Sequence, residues 1–553
     1  MGYLKHFLER LKSAASAGGA PRRAAFPPVA TPQSEPVLGT DQLENSAGGF
    51  VWAVDDWTRL RRFLILGSER GSYYASEATL TAKKAAATIR CIATDGKRVV
   101  EEIVAISDSG RAARNDPALF ALALAASRGD PAVRRHALAA LPKVARIGTH
   151  LFHFADYVNR LRGWGRGLRE AMAAWYNERP VGEAAYQAIK YQQRDGWSHR
   201  DVLRLAHPKA PDEAHAALYR WICHGWPEVG ADPHPDEALR PIWAFENLKA
   251  TTDPMRAAAL IRNHRLPREA VPTPLLNSVP VWEALLEEMP MTALIRNLAK
   301  LTSLGIIAPL SKTTRQVCDH IEDPERLRKA RLHPVAILSA LRTYAQGHGE
   351  RGHLRWSPVP KVIDALDRAF YEAFRGVEPT HKRWLLALDV SGSMASSQIA
   401  GVPGLTPRDA SGAMALVTAA REPKHHVMAF GDSFVPIDIS PRQRLDDVMK
   451  RISGLPFSAT DCALPMVWAE RNRVPVDVFV VYTDSETWCG QIHPFQALRS
   501  YREKMGIAAR LAVVGMVANQ FSIADPSDRG MLDVVGFDTA TPGLMRDFAL
   551  GEV

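Results

Sequence analysis

The sequence predicts a multidomain fold of the α plus α/β class, in which a long array of helices precedes a domain built on a parallel sheet. At 553 residues the chain is too long for a single hydrophobic core. Helical periodicity persists to about residue 370 and then gives way to short apolar segments that alternate with helices. We therefore assign residues 1–40 to a flexible tail, 41–370 to the helical array and 371–553 to the α/β domain.

The predicted tail is distinguished by its composition. Residues 13–40 are rich in Ala, Pro, Gly and Ser, and five prolines fall between Pro21 and Pro36. Such a segment buries too little apolar surface to offset the entropy of ordering it. We expect ordered structure to begin near Asp41.

The helical array is predicted from repeated helix starts. An Asp at the N-cap followed by Pro at the first helical position occurs at Asp116, Asp130, Asp253 and Asp323. Short helices separated by Pro and Gly over this length predict stacked hairpins, a HEAT-like solenoid. No clean repeat period is visible, so an ordinary globular helical domain remains the alternative.

The α/β domain is predicted from compact apolar strands at 384–390, 425–430, 477–484 and 509–516. Helical stretches lie between and beside them at 407–420, 441–452, 462–471 and 494–505. Strands that alternate with helices form βαβ units, and these build a parallel sheet covered on both faces.

Polar residues follow the predicted strands at the edge where such sheets bind ligands. The five candidates are Asp389, Ser391, Ser393, Thr460 and Asp484. Carboxylates and hydroxyls make an all-oxygen site of the kind that suits Mg²⁺. The D-x-S-x-S spacing with a later Thr and Asp resembles the metal-ion-dependent adhesion site of von Willebrand A domains. The alternative is that D-x-S-G-S only caps a helix.

Charge is distributed unevenly along the chain, whose estimated pI is about 9.3. Residues 1–370 contain 51 Lys and Arg against 39 Asp and Glu, whereas residues 371–553 contain 18 against 21. A polyanionic partner is therefore expected to bind the helical array. A solvated basic surface without a partner is the alternative.

The segment 188–209 carries the candidate nucleic-acid contacts, Lys190, Arg194, Arg200, Arg204 and His207. Lys190 and Arg194 are four residues apart and are expected on one helix face. Ser198 is expected to cap a second helix that carries the other three. Tyr191, Trp197 and His199 add planar rings, and cations beside rings can bind phosphates and stack on bases. Alone, the pattern is equally compatible with a solvated helix face.

Three stretches resemble the Ro autoantigen family of TROVE-domain proteins: NSAGGFVWAVDDWTRLRRFLILGSE (45–69), GWSHRDVLRLAHPK (196–209) and RGMLDVVGFDT (529–539). The similarity begins at about Gln42 and reaches the C-terminus. It implies a ring of HEAT-like hairpins closed by a von Willebrand A module. It also implies Y RNA on the outer basic surface, single-stranded 3′ ends of misfolded RNAs in the central hole, and a 3′ exoribonuclease partner in bacterial relatives.

The resemblance assigns the Y RNA contacts of the family to Lys190, Arg194 and His207. Related proteins read K-Y-K-Q-R where this chain has KYQQR at 190–194, which is one positive charge fewer. The departure bears on the expected strength of RNA binding at the outer surface and not on whether that binding exists. The adhesion-site pattern at 389–393, by contrast, is complete.

Several other classes of protein are disfavoured. The cysteines are odd in number and lack a C-x-x-C pair, which argues against a disulfide framework and a cysteine zinc site. No apolar run approaches the roughly 18–20 residues that span a bilayer, and the first residues lack a signal-peptide core. The nucleophile-elbow, P-loop and H-E-x-x-H patterns are absent. The glycine-rich run 163–167 sits among helices and is interpreted as a helix connection.

We therefore expect a cytoplasmic monomer that binds RNA, takes part in its quality control, and is not an enzyme. One alternative is a protein-interaction adaptor whose Mg²⁺ accepts a carboxylate from a partner. A second is a metal-dependent nuclease.

Overall fold

The computed structural model describes most of the chain. The described residues are 30–67, 85–112, 114–225, 236–330, 332–349, 353–373, 378–396, 405–440, 443–456, 459–517, 519–536 and 538–552. Among them, no helix is both long and apolar enough to cross a membrane.

The helical array consists of α-helices joined by short connections. In chain order they are α1 (Asp56–Leu66), α2 (Ala86–Ser109), α3 (Asp116–Arg128), α4 (Pro131–Ala139), α5 (Leu141–Val144), α6 (Gly148–Leu161), α7 (Arg166–Asn177), α8 (Val181–Lys190), α9 (His199–Ala206), α10 (Glu213–His224), α11 (Arg240–Ala250), α12 (Pro254–His264), α13 (Val279–Glu287), α14 (Met291–Ser303), α15 (Lys312–Glu322), α16 (Pro324–Ala330), α17 (Pro334–Ala345) and α18 (Pro360–Glu372). Short 3-10 helices occupy Glu237–Leu239, Arg268–Ala270 and Thr273–Asn277.

Three of the four predicted N-caps are confirmed, and the fourth is shifted by one residue. Asp130 accepts hydrogen bonds from the backbone N–H groups of Ala132 and Val133, and Asp253 accepts one from Met255. Asp323 likewise accepts from the first turn of α16. Helix α3 begins at Asp116 itself, so its N-cap is the preceding residue. These carboxylates satisfy backbone donors that the helix leaves unpaired.

Consecutive helices pack against one another along the array, as in a HEAT-like solenoid. Helix α1 packs on α2, α12 on α13, and α17 on α18. Helix α3 lies at the centre of the first part, because it contacts α2, α4 and α6 and its residues 117–126 are all buried. In the amphipathic helices, apolar residues on one stripe form these contacts, whereas α3 is buried on all sides.

The α/β domain is built on a six-stranded sheet with helices on both faces. Its strands, with one peripheral strand, are β5 (Trp384–Asp389), β6 (His425–Phe430), β7 (Phe434–Pro436), β8 (Val478–Thr483), β9 (Arg510–Gly515), β10 (Phe521–Ser522) and β11 (Met531–Val535). Its helices are α19 (Gly392–Ser396), α20 (Pro407–Arg421), α21 (Leu445–Ser453), α22 (Leu464–Arg471), α23 (Pro494–Met505) and α24 (Thr541–Leu550).

The sheet order is β11-β9-β8-β5-β6-β7, and all neighbours are parallel except β6 and β7. Strands β5 and β8 are adjacent, so their carboxyl ends lie side by side at one edge. Edge strands β7 and β11 were not predicted, because β7 has three residues and β11 lacks the continuous apolar run of a central strand.

Residues 30–53 belong structurally to the α/β domain, with strands β1 (Leu43–Glu44) and β2 (Phe50–Ala53). Strand β2 pairs with β10. Gln33 is fully buried, its backbone N–H donates to Gly490 O at 2.8 Å, and its amide donates to Ile492 O at 2.8 Å. The predicted flexible tail is therefore wrong for residues 30–40. Hydrogen bonds hold this segment, and the prediction considered only apolar burial. Residues 1–29 lie outside the described residues.

The helical array closes into a ring at the α/β domain, because both of its ends contact that domain. From the first end, Arg111 follows α2 and its guanidinium donates twice to Asp538, at 3.0 Å and 2.5 Å. The carbonyl of Arg111 also accepts from Nε2 of His333, the N-cap of α17, at 3.0 Å. From the last end, Arg342 of α17 pairs with Asp409 of α20 at 2.8 Å.

Arg62 of α1 forms the most deeply buried part of this junction. Its side chain is 1% exposed, and Nη2 donates to Asp533 Oδ1 at 2.6 Å. Nη1 donates to the carbonyls of Asn519 and Phe521 at 2.8 Å and 3.0 Å. A buried guanidinium requires several acceptors to replace its lost hydration, and strands β10 and β11 together with the loop before β10 supply them.

Replacing Arg62 by Ala leaves the carboxylate of Asp533 desolvated and without its cation. We expect the Arg62→Ala variant to lose about 3–5 kcal/mol of the free energy of unfolding in urea denaturation. Arg61→Ala is the matched control, because Arg61 pairs with Glu102 at 2.8 Å in a partly exposed position. That variant is expected to lose less than about 1 kcal/mol. Equal losses in the two variants would contradict a special role for the buried pair.

Candidate functional site

The carboxyl end of β5 gathers three of the predicted metal ligands. Asp389 ends the strand and is fully buried. The backbone N–H of Ser391 donates to Asp389 Oδ1 at 2.9 Å, and the hydroxyls of Ser391 and Ser393 lie 3.0 Å apart. The short helix α19 begins between the two serines, so the turn that starts it presents both hydroxyls beside the carboxylate.

Asp484 joins this group from the end of β8. Its carboxylate accepts a hydrogen bond from Ser393, and Oδ1 also accepts the backbone N–H of Glu486 at 3.1 Å. Burial raises the pKa of Asp389, and repulsion from Asp484 raises it further. Burial likewise raises the pKa of Asp484. In the described parts of the chain, neither carboxylate forms an ion pair with Lys, Arg or His.

Thr460 lies next to this edge on the loop that precedes α22. It is buried, and its carbonyl accepts from the N–H groups of Trp488 and Cys489 at 3.1 Å and 3.3 Å. Among the described residues, no hydrogen bond joins its hydroxyl to the other four candidates. The structure thus brings Asp389, Ser391, Ser393 and Asp484 into one network and holds Thr460 beside it through the loop 487–489.

Sequence reasoning missed two polar groups at this edge. Thr483 donates from its hydroxyl to Asp389 Oδ2 at 2.6 Å and so ties β8 to β5. Glu486 is buried, and burial together with repulsion from Asp484 raises its pKa to about 7. Their signal was the run TDSE at 483–486, in which only Asp484 was assigned a role.

The donor set fits a hard divalent cation. Two buried carboxylates repel one another, and hydroxyls surround them, which is the chemistry of an oxygen-liganded Mg²⁺ site. Within the described residues, no cluster of three or more His, Cys, Asp or Glu side chains is placed to hold a metal. A site here would therefore depend on its serine and threonine hydroxyls as well as its carboxylates.

The second candidate site lies on the helical array, and its members differ in exposure. Arg194, Arg200, Arg204 and His207 are exposed. Lys190 is half-buried, with Nζ 5.4 Å from the ring centre of Tyr186 and 5.4 Å from that of Tyr191. Burial opposes the charge of Lys190, but the two tyrosines and Glu269 outweigh it and raise its pKa. These five residues are called the basic surface below.

The prediction that Lys190 and Arg194 share a helix face is wrong. Helix α8 ends at Lys190, and Arg194 lies in a hairpin of strands β3 (Gln193–Arg194) and β4 (Trp197–Ser198). The two turn residues, Asp195 and Gly196, have φ values of 53° and 79°. An Asp-Gly pair in this conformation forms the tight turn that joins two antiparallel strands. The dipeptide DG at 195–196 was the overlooked signal.

The predicted helix after Ser198 is present as α9. Ser198 and Asp201 form a reciprocal capping box, and Arg200 and Arg204 lie four residues apart on the exposed side. His207 ends the helix at a φ of 48°. His199, grouped with the RNA-facing rings in the prediction, is instead buried, and its Nδ1 lies 2.7 Å from the hydroxyl of Tyr176.

Comparison with known proteins matches both parts of the chain. The family model for the TROVE domain matches residues 43–226 and 242–342, and the model for the Ro60 vWA domain matches residues 383–549. The RNA-binding protein RO60 of Deinococcus radiodurans is 45% identical over 535 residues, which cover 96% of this chain and 99% of that protein.

The chain belongs to the Ro60 family.

A second Ro60 protein, the RNA-binding protein RO60 of Caenorhabditis elegans, is 38% identical over 93% of this chain and 90% of its own length. The crystal structure of the Deinococcus radiodurans RO (RSR) protein superimposes with a TM-score of 0.68 at 43% identity, and it covers 90% of this chain and 100% of that one. The Ro resemblance and the helical-ring-plus-von-Willebrand-A fold are thereby confirmed. Ro60 relatives are named as RNA-binding proteins, which supports RNA as the partner of this chain.

The buried imidazole of His199 makes the stability of the Ro60 fold depend on pH. Burial lowers its pKa from 6.5 to about 4, so the folded state keeps the ring neutral while the unfolded chain protonates it near 6.5. The stabilisation is complete above pH 6.5 and is lost as pH falls towards 4. We expect His199→Gln to reduce the fall in unfolding free energy between pH 7 and pH 4 by roughly 3 kcal/mol.

Urea denaturation at the two pH values measures this difference. The unsubstituted protein, measured in the same buffers at both pH values, is the reference for this comparison. The assignment fails if His199→Gln loses as much stability between the two pH values as the unsubstituted protein.

Proposed function

We propose that this protein binds small non-coding RNA of the Y RNA class on its basic surface and acts in the quality control, processing or decay of non-coding RNA. The observation that carries the proposal is the exposed series Arg194, Arg200, Arg204 and His207 on two successive elements of a Ro60-family TROVE domain. Single-stranded 3′ ends of misfolded RNAs would enter the central opening of the ring. This second mode rests on the family resemblance.

Free cations support the choice of this surface. Within the described residues, neither Arg200 nor Arg204 forms an ion pair or a side-chain hydrogen bond, so phosphate contact would not break an existing interaction. Arg194 is 3.7 Å from Asp195, at a distance that weakens any competition from the carboxylate. Lys190 is half-buried, and its contacts with the rings of Tyr186 and Tyr191 limit how far its ammonium group can extend towards a phosphate. Phosphate contacts by such groups release counterions and make binding dependent on salt.

A divalent cation, Mg²⁺ in the simplest case, is proposed at Asp389, Ser391, Ser393, Thr460 and Asp484. It would neutralise the two buried carboxylates and offer an open coordination position. A protein-interaction adaptor that presents this cation to the carboxylate of a partner is the second candidate function. It is favoured by the separation of the two sites into different domains, which allows each to act alone.

The remaining expectations are also proposals. We propose that the protein works as a cytoplasmic monomer, that a 3′ exoribonuclease is a protein partner, and that the protein itself carries out no chemistry on RNA. The names of its relatives, which are given as RNA-binding proteins, support the last of these.

Neutralising exposed arginines of the basic surface should weaken RNA binding and reduce its dependence on salt. If roughly 6–10 phosphates are contacted, affinity should fall by about 10³–10⁵ between 50 and 200 mM salt. Arg200→Ala and Arg204→Ala should each lower the slope of log affinity against log salt by about 1. Fluorescence anisotropy with a labelled structured RNA gives both quantities.

Arg328→Ala is the matched control, because Arg328 is also exposed on the array but pairs with Glu325 at 2.7 Å. It should leave the slope unchanged. A flat salt response of the unsubstituted protein would overturn the proposal.

Removing a carboxylate from the sheet edge should abolish cation binding and spare RNA binding. We expect Mg²⁺ to raise the thermal midpoint of the unsubstituted protein, because a ligand that binds only the folded state stabilises it. Asp484→Ala should eliminate this rise, whereas Asp438→Ala, which changes an exposed carboxylate of the same domain, should preserve it. Loss of RNA affinity in Asp484→Ala would favour a joint site, and cleavage of labelled RNA on adding Mg²⁺ would favour the nuclease.

A further inference from the structure

Two tryptophans from separate elements meet beside the basic surface. Trp164 lies in the glycine-rich connection between α6 and α7, and Trp197 lies in strand β4 of the hairpin. Their ring centres are 5.5 Å apart, and the ring planes are inclined by 31°. Both side chains are half-buried against the core of the first helices. Each therefore keeps part of its ring at the surface.

The pair is continuous with the cations proposed to bind phosphate. Trp197 is the direct cross-strand partner of Arg194 in the hairpin, so the two side chains lie on the same face. On the other side, exposed Arg162 and Arg166 flank the connection that carries Trp164. In the described residues Arg162 makes no ion pair, while Arg166 pairs with Glu170 at 2.8 Å.

The orientation of Trp164 limits what it can recognise. Its indole N–H is buried and has no hydrogen-bond partner among the described residues. What remains at the surface is the carbon frame of the ring. Gly163 and Gly165 on either side have no atoms within 4 Å of the position a side chain would occupy. The connection therefore offers an open, apolar approach without a hydrogen-bonding edge.

We propose that Trp164 and Trp197 form a stacking platform for the bases of unpaired nucleotides in RNA, with Arg194 and Arg162 holding the adjacent phosphates. The proposal rests on the proposed function of the basic surface. It extends that function to Trp164, Trp197 and Arg162, which lie outside the basic surface as defined above. Stacking uses the face of any base, and the buried indole N–H of Trp164 cannot select one by hydrogen bonding. The platform accordingly prefers unpaired over paired nucleotides and tolerates any sequence.

Comparing RNA with a strand that lacks bases separates the contribution of base stacking to affinity from that of the phosphate charges. The probe is a fluorescein-labelled single-stranded RNA, compared with an abasic ribose-phosphate strand of the same length and charge. Base stacking is worth about 1–3 kcal/mol per base, which is about 5- to 150-fold in affinity. We expect the unsubstituted protein to prefer the base-bearing strand by a factor in this range. Trp164→Leu should lose most of the preference and bind the abasic strand as before.

Two further variants control the interpretation. Trp164→Phe retains a ring and should restore part of the preference. Trp488→Leu changes a tryptophan of the α/β domain that is 43% exposed and should leave both affinities unchanged.

The outcomes are distinguishable. An equal loss for both strands in Trp164→Leu means a damaged surface, and an unchanged preference means that the ring does not stack on bases; either result overturns the platform. If the unsubstituted protein binds both strands equally and with a steep salt dependence, the platform falls and the proposed function stands. If it binds neither strand nor a structured RNA, the proposed function falls and the platform with it.

Discussion

Closure of the ring depends on burying arginines of the first helices against carboxylates at one end of the sheet. Arg62 reaches Asp533 on strand β11, and Arg111 reaches Asp538 just beyond it. The same Arg111 offers its carbonyl to His333, which begins the penultimate helix of the array. Both ends of the solenoid are thus fixed at one place. A solenoid held only by contacts between neighbouring hairpins would be free to open.

Hydrogen bonds also connect the closed junction to the candidate metal site. Asn519 accepts from Arg62 through its side-chain oxygen at 3.1 Å, and its amide donates to the carbonyl of Asp484. A residue of the first helix is therefore two hydrogen bonds away from a proposed metal ligand. The N-terminal segment approaches the same edge from another side, because the Gln33 amide donates to Asp461 at 2.8 Å. The sheet edge is consequently held by segments far apart in the sequence.

Most of the architecture could be predicted because local physics determines it. Strand β6 and helix α23 have the predicted bounds, since a compact segment that ends in four buried residues marks the strand and a Pro at the first helical position marks the start of the helix. Predictions failed where a few polar groups decide the conformation. The Asp195-Gly196 turn replaced an expected helix with a hairpin, and buried Gln33 ordered a segment whose composition indicates flexibility. Neither outcome is visible in hydrophobic periodicity.

In the candidate sites, too, features set by the local sequence were predicted, and features set by contacts between distant residues were missed. The spacing at 389–393 and the position of Asp484 after a strand were enough to predict that four of the candidate residues lie at one edge of the sheet. Thr483 and Glu486 were missed because their roles depend on contacts between strands. On the array, exposure of Arg200 and Arg204 followed from the Ser198 cap, whereas burial of His199 depended on Tyr176 from another helix.

Amide hydrogen exchange of the protein with and without a bound structured RNA tests the central claim most directly, because it locates the RNA without changing any residue. The account predicts slower exchange in the hairpin 193–198 and in helix α9, with the sheet edge around Asp389 and Asp484 unchanged. Protection at that sheet edge, with the hairpin and α9 unaffected, would contradict it.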